Sequence, residues 1–353
     1  FWTFLAIFGI FFLFQVLLDL VEQIRRFDSS VSFAEVMRLT LLNTPDGMYQ
    51  ILPLVMILSS ITLFVSLARS SELVVARAAG RSGMIALVGP MMVALVIGVL
   101  AVAMGNPIVA ATSKAYSDLR ETYRNGGTSA LSIGAEGLWL RQSDPRGQTV
   151  IRAARANPNG TVLYDVMFVA YAENGGPIRR IEAQEAALTE GAWTLQEVKV
   201  WPLIDGVNPE TNAALHDELI VPSTLTEDSI KDRFGRPSAV SVWELRSFIT
   251  DLEDAGISAR RHEVWLQMET ARPVFLLSMV LIGAAFTMRH SRMGGTGLAV
   301  LSAVLLGFTL YYIRNFAQIL GENGQLNPLA AAWVPPFASI LLALGLILHR
   351  EDG

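Results

Sequence analysis

The sequence predicts an α-helical membrane protein of six transmembrane helices, with an all-β, jelly-roll-like domain inserted between the third and the fourth. Three observations predict it. The 353 residues are 52% apolar and only 17% charged, with a mean hydropathy of +0.42, whereas soluble domains carry about 25% charged residues. Six runs reach or approach the roughly 20 apolar residues that span a bilayer. Between the third and fourth runs the composition turns polar, with short alternating segments separated by turn formers.

The runs are Phe1 to Leu18, Ile51 to Ala68, Met84 to Met104, Val264 to Met288, Leu298 to Ile313 and Ala330 to Leu348. Glu269 and Arg272 interrupt the fourth. Its firmly apolar part is Pro273 to Met288, and the stretch before it reads as a helical extension above the membrane. The first run opens at Phe1 without a methionine, so a short segment is expected ahead of it. It is too long and too aromatic for a cleaved signal peptide. Residues 19–43, of mixed charge, read as a loop.

The insertion covers about Ser129 to Pro237. Alternation marks strands at Gly137–Arg141, Thr149–Ala153, Thr161–Tyr171, Ile178–Glu182, Trp193–Trp201 and Glu218–Val221. Asp144-Pro145, Asn157-Pro158-Asn159-Gly160, Asn174-Gly175-Gly176-Pro177 and Asp205-Gly206 are the turns between them. Many short, punctuated strands predict a sandwich, jelly roll or barrel. Ser241 and Glu244 have capping-box spacing, which predicts a helix running to about Ala255 and ending at Gly256. Ser258 would cap the helix that feeds the fourth span. The expected domains are 1–124 (three spans), 125–240 (β domain), 241–262 (helical connector) and 263–353 (three spans).

Charge bias orients the chain. Arg69, Arg77 and Arg81 lie between spans two and three, Arg289, His290 and Arg292 between four and five, and His349 and Arg350 in the tail. The positive-inside rule places these ends in the cytoplasm. Six spans then put both termini inside and the β domain outside.

Nothing in the sequence points to catalysis. Without cysteine there are no disulfides and no thiolate metal sites. The four histidines (216, 262, 290 and 349) lack metal spacing, and no G-x-x-x-x-G-K-[ST] phosphate loop occurs. A net charge of −5 argues against nucleic acid as a partner. The chain is read as no enzyme, without a cofactor of its own.

Two groups of residues stand out instead. In the 69–80 segment, Ser70 or Ser71 can cap a short helix, Glu72 suits its first turn and Gly80 its C-terminal end. About ten residues make a marginal helix alone, so it needs a partner surface. That surface is either the lipid headgroups or a cytoplasmic protein. The second group is basic. Arg25 and Arg26 follow the first span, and Lys114, Arg120 and Arg124 follow the third, on a helical continuation past Pro107. These are either snorkelling anchors or ligands for phosphate. Arg314, next to Tyr311-Tyr312, is a charge inside the fifth span, where it either binds a ligand or pairs with an acid such as Asp19.

The order of these parts resembles the LptF/LptG permease family of the lipopolysaccharide export transporter. The resemblance runs through essentially the whole chain and is most specific at R-S-S-E-L-V-V-x-R-A-x-G, residues 69–80. Val21-Glu22-Gln23-Ile24-Arg25-Arg26 and Gly137-Leu138-Trp139 resemble the LptG branch more than the LptF branch. The resemblance implies a bacterial inner-membrane permease with a periplasmic β-jelly roll. It implies that 69–80 is a coupling helix docking on an ATPase subunit, LptB, with Glu72 as the key polar contact and Arg69, Leu73, Arg77 and Gly80 around it. ATP and Mg would be bound by two copies of that subunit. The implied partners are an LptF-type permease and LptC, and the ligand is lipopolysaccharide, extracted from the outer leaflet of the inner membrane. Arg25, Arg26, Lys114, Arg120, Arg124 and Arg314 would meet its phosphates, and the aromatic faces at Phe4, Phe8, Phe11, Phe12 and Phe308 its acyl chains. Relatives often carry a basic residue where this chain has Asp19. Alternative readings are the LptF-type partner itself, a mechanotransmitting or sensory membrane protein that moves no lipid, and a membrane-bound enzyme.

Overall fold

The computed structural model describes residues 1–27, 31–70, 72, 83–125, 131–134, 137–144, 147–157, 160–172, 176–189, 191–203, 206, 208–223, 225–226, 237–288 and 296–351. Among the described residues, six helical segments are long and apolar enough to cross a membrane. They are α1 (Trp2–Arg26), α2 (Phe33–Arg69), α3 (Gly83–Leu100) with its continuation α4 (Asn106–Asn125), α6 (Arg260–Thr287), α7 (Thr296–Glu322) and α8 (Pro328–Glu351). A π-helical turn, Ala101–Gly105, joins α3 to α4. A shorter helix, α5 (Leu245–Asp254), precedes α6. The chain divides into two compact units. One holds 1–116, 241–243 and 260–353, the other 117–240 and 244–259.

In the first unit the predicted loop 19–43 is largely helical. Helix α1 runs on to Arg26, and α2 begins at Phe33. Ser32 Oγ accepts from the Glu35 backbone N–H, and the Glu35 carboxylate accepts from the Ser32 N–H at 2.9 Å. This capping box starts α2 well before its apolar run, where mixed charge had suggested a loop. At 37 residues α2 is about 55 Å long, more than the hydrocarbon requires, and it carries Pro45 and Pro53 within it.

Helix α6 is the centre of this unit, packed by α2, α3, α7 and α8, while α1 packs on α2. Two close approaches need glycine. A Cβ on Gly98 would lie 2.5 Å from Pro273 Cα, and one on Gly283 would lie 2.7 Å from Ser60 Oγ. At the second, Ser60 Oγ donates to the Val280 carbonyl at 2.9 Å and ties α2 to α6.

The second unit holds an antiparallel sheet. Among the described residues it has seven strands in chain order: β1 (Leu131–Gly134), β2 (Gly137–Asp144), β3 (Gly147–Ala156), β4 (Val162–Ala172), β5 (Pro177–Thr189), β6 (Ala192–Pro202) and β7 (Ala214–Pro222). The inserted all-β domain is present, and its connectivity is a meander. One face carries the core, including Leu138, Ile151, Phe168, Ile181 and Trp193. The Phe168 and Trp193 rings meet edge to face at 6.3 Å. Helix α5 adds Leu252, and Ala255 and Ile257 follow it into the same core.

A crease crosses this sheet. The β3–β4 ladder skips Ala154 and Asp165, β4–β5 skips Asp165 and Gln184, β5–β6 skips Gln184 and Glu197, and β6–β7 skips Glu197 and Asp217. Asp165 and Glu197 have φ of +52°. Beyond the crease the buried positions change parity: Leu163 and Val166, Ala183 and Ala186, and Leu195 and Val198 are all in the core. Each strand carries one extra residue at the same level. The pairing therefore stays in step while the sheet bends.

The Ser241 capping box is corrected. Ser241 Oγ lies 3.4 Å from the Trp243 N–H, and α5 starts only at Leu245, with Glu244 at its cap. The cause is a competing contact, because Asn106 Oδ1 takes the Val242 N–H at 2.7 Å and holds 241–243 as a separate turn. At the other end the prediction stands. Gly256 (φ +77°) closes α5, with the Ile257 N–H on the Leu252 carbonyl at 2.9 Å. Helix α6 begins at Arg260, so Ser258 sits one residue ahead of its cap position.

Candidate functional site

The segment between α2 and α3 is described at its start. Arg69 ends α2, and Ser70 caps it, its N–H on the Ser66 carbonyl. The Ser70 hydroxyl donates to Glu72 Oε1 at 2.9 Å. Glu72 is exposed, and among the described residues this hydrogen bond is the contact its carboxylate makes. Leu73, Arg77 and Gly80 lie outside the described residues, as does the proposed helix around them.

Of the basic set, Arg25 and Arg26 are exposed in the last turn of α1, where Arg26 pairs with Glu22. Lys114 is exposed on α4. Gln23 Nε2 donates to the Tyr116 hydroxyl at 2.8 Å in a buried contact. That bond brings the end of α1 to α4, so Arg25, Arg26 and Lys114 share one end of the first unit. Arg120 is half-buried further along α4. Arg124 continues the same helix, and its side chain lies outside the described residues.

Arg314 is 6% exposed, its guanidinium 5.2 Å from the centre of the Phe275 ring. It is not paired with Asp19. That carboxylate is buried between the Gln15 amide (3.2 Å) and the Thr44 hydroxyl (3.4 Å). Short neutral donors from α1 and α2 satisfy Asp19 locally, which removes the reason for a charge to reach across the bundle.

A polar centre lies on α2 and α6. Glu269 and Arg272 are 0% and 3% exposed. Arg272 donates Nη2 to Glu269 Oε1 at 2.5 Å and Nε to Oε2 at 3.2 Å. Its Nη1 reaches the Tyr49 carbonyl at 3.0 Å, and the Tyr49 hydroxyl donates to Glu269. In the sequence this pair reads as an interruption of an apolar run. The signal available was the i, i+3 spacing of opposite charges on a helix. Tyr49, far away in sequence, had none.

Known proteins bear on this arrangement. The model of the family described as "Lipopolysaccharide export system permease LptF/LptG" matches residues 1–349. The lipopolysaccharide export system permease protein LptG of Haemophilus influenzae is 25% identical over 316 residues, 88% of this chain and 85% of that protein. Its Escherichia coli K12 namesake is 24% identical over 318 residues, with the same coverage. A match along nearly the whole chain, on six membrane-spanning helices and an inserted antiparallel sheet, identifies this multi-pass inner-membrane protein as a member of the LptF/LptG family of lipopolysaccharide export permeases.

Proposed function

We propose that the chain is the LptG-type half of an ATP-driven exporter that extracts lipopolysaccharide from the outer leaflet of the inner membrane. It pairs with an LptF-type permease to enclose a lipid cavity. Two LptB subunits bind ATP and Mg in the cytoplasm, and this chain needs no cofactor of its own. Its termini are cytoplasmic and the sheet is periplasmic, where it hands the lipid on towards LptC. Helices α1 and α7 support the pairing, since they bury few residues within the chain and expose long apolar faces, including Leu13, Leu17, Leu305 and Phe316. Closure of the ATPase reaches the bundle through 69–80. Arg25, Arg26, Lys114, Arg120 and Arg124 neutralise lipid phosphates at the outer surface. Arg314 joins them when α6 and α7 part.

The observation that carries this reading is Glu72, an exposed carboxylate that accepts from the Ser70 hydroxyl directly after a long membrane helix. Glu72→Arg reverses its charge in the middle of the docking surface. The expected result is loss of co-purifying ATPase and at least a tenfold fall in ATP-driven lipopolysaccharide release. Full assembly and full release by this variant would sink the coupling role.

A further inference from the structure

Two prolines each leave a backbone acceptor bare in the membrane unit. Pro53 of α2 has no N–H to give the carbonyl four residues back, that of Tyr49. Arg272 Nη1 of α6 takes this carbonyl at 3.0 Å. Pro107, at the start of α4, likewise leaves the Ala103 carbonyl without an N–H four residues on. Trp243 Nε1 takes that one at 3.2 Å. Sharp bends in helices fall at prolines and π turns. Both joints are therefore pinned by a side chain from another element.

Asn106 stands between the two joints and is 1% exposed. Its N–H closes the π turn on the Ala101 carbonyl. The extra residue of that turn swings Asn106 about 100° around the helix from where an unbroken α-helix would put it. Its Oδ1 accepts from the Val242 N–H at 2.7 Å. That leaves the amide N–H group for the Tyr49 hydroxyl, with which the Asn106 side chain also interacts. The Tyr49 hydroxyl donates to Glu269, the partner of Arg272. A line of polar contacts thus runs from the ion pair of α6 through Tyr49 and Asn106 to the turn 241–243. All of these residues belong to the first unit.

Polar groups set this deep among apolar spans are costly and mark function by default. What the line connects gives it a use. From Tyr49 to Arg69 helix α2 rises about 30 Å, and it ends beside Glu72. At the other end, 241–243 is the turn by which the chain touches the membrane unit between two stretches of the second unit, 117–240 and 244–259. We propose that Asn106 is a positioning residue for export. It ties the proline joint of α2 to the turn 241–243, so that α2, moved from its Glu72 end, repositions the chain where it returns from the sheet. The assignment rests on the export reading for what moves α2.

The test compares Asn106→Leu, Tyr49→Phe and the double variant in the assembled exporter, reconstituted in vesicles that contain lipopolysaccharide. ATP hydrolysis, lipopolysaccharide released per ATP and thermal unfolding are measured together. Both single variants are expected to keep the ATPase rate and to release several-fold less lipopolysaccharide per ATP. The double variant should be no worse than the poorer single one, because both cut the same line. Tyr49→Phe keeps the ring and the backbone carbonyl, and it decides alone if Asn106→Leu does not assemble. Unchanged release per ATP, with or without a lower unfolding temperature, would reduce the contacts to packing and overturn the proposal. Losses that multiply in the double variant would overturn it too. No release by the unsubstituted exporter would overturn the export reading itself, and the role of Asn106 with it.

Discussion

The Arg272 guanidinium lies 3.8 Å from the centre of the Tyr49 ring while its Nη1 donates to the Tyr49 backbone carbonyl at 3.0 Å. One side chain of α6 thus holds both the backbone and the ring of a residue on α2. Glu269 closes the arrangement by pairing with Arg272 and accepting from the Tyr49 hydroxyl. A charge this deep is tolerated because each of the three guanidinium nitrogens has a partner and the carboxylate neutralises it.

Breaking the pair on one side leaves the other charge buried and uncompensated. Arg272→Met is expected to cost about 3–5 kcal/mol, and Glu269→Gln alone a similar amount. The double variant should recover much of the loss, since no bare charge remains from the pair. Thermal unfolding of the purified protein in detergent reads all three. Additive losses in the double variant would show that the two residues act independently.

Asp165 tests the crease. Its φ of +52° is a left-handed conformation that costs a non-glycine residue about 1–2 kcal/mol and is least tolerated by β-branched side chains. Asp165→Val is expected to destabilise the sheet by that order, while Asp165→Gly should be neutral or mildly stabilising. Trp193, buried in the same core, reports sheet unfolding by its fluorescence. Equal stability of the two variants would mean that the backbone there relaxes at no cost.

Glu210 supplies a pH dependence. Its Oε1 lies 2.5 Å from Lys199 Nζ, and its Oε2 accepts from Trp201 Nε1 at 2.6 Å. The Lys199 hydrogen bond, and after it that of Trp201, holds the carboxyl below its ordinary 4.5. The folded value is the lower one. The contact therefore contributes fully above pH 4.5 and is lost as the pH falls through the folded value. The Trp201 indole resonance should move in that acid window and stay put in Glu210→Gln. A shift centred above pH 4.5 would contradict the assignment.

Much of this protein was legible in its residues, and the reasons differ by element. The six apolar runs name their own solvent, because a continuous apolar run of that length satisfies its backbone inside a bilayer as a helix. The strands announced themselves by alternation, but only as far as alternation lasts. Ile178–Glu182 reads as a strand, yet β5 continues to Thr189 through Ala183-Gln184-Glu185-Ala186-Ala187. That stretch is helix-prone by composition and loses its parity at the crease. Pairing with β4 and β6 overrides both.

The sequence by itself determined the class, the span count, the inserted β domain and the exposed polar segment after span two. Each depends on local composition or short-range periodicity. Tertiary structure alone decided the rest. It brought Tyr49 to Glu269 and Arg272 across more than two hundred residues and satisfied Asp19 with neighbours in place of Arg314. It moved the start of α5 by lending Asn106 to Val242 and aligned one extra residue in each of several strands into a bend. A buried polar atom must find a partner wherever the fold supplies one. That choice depends on which elements meet in space.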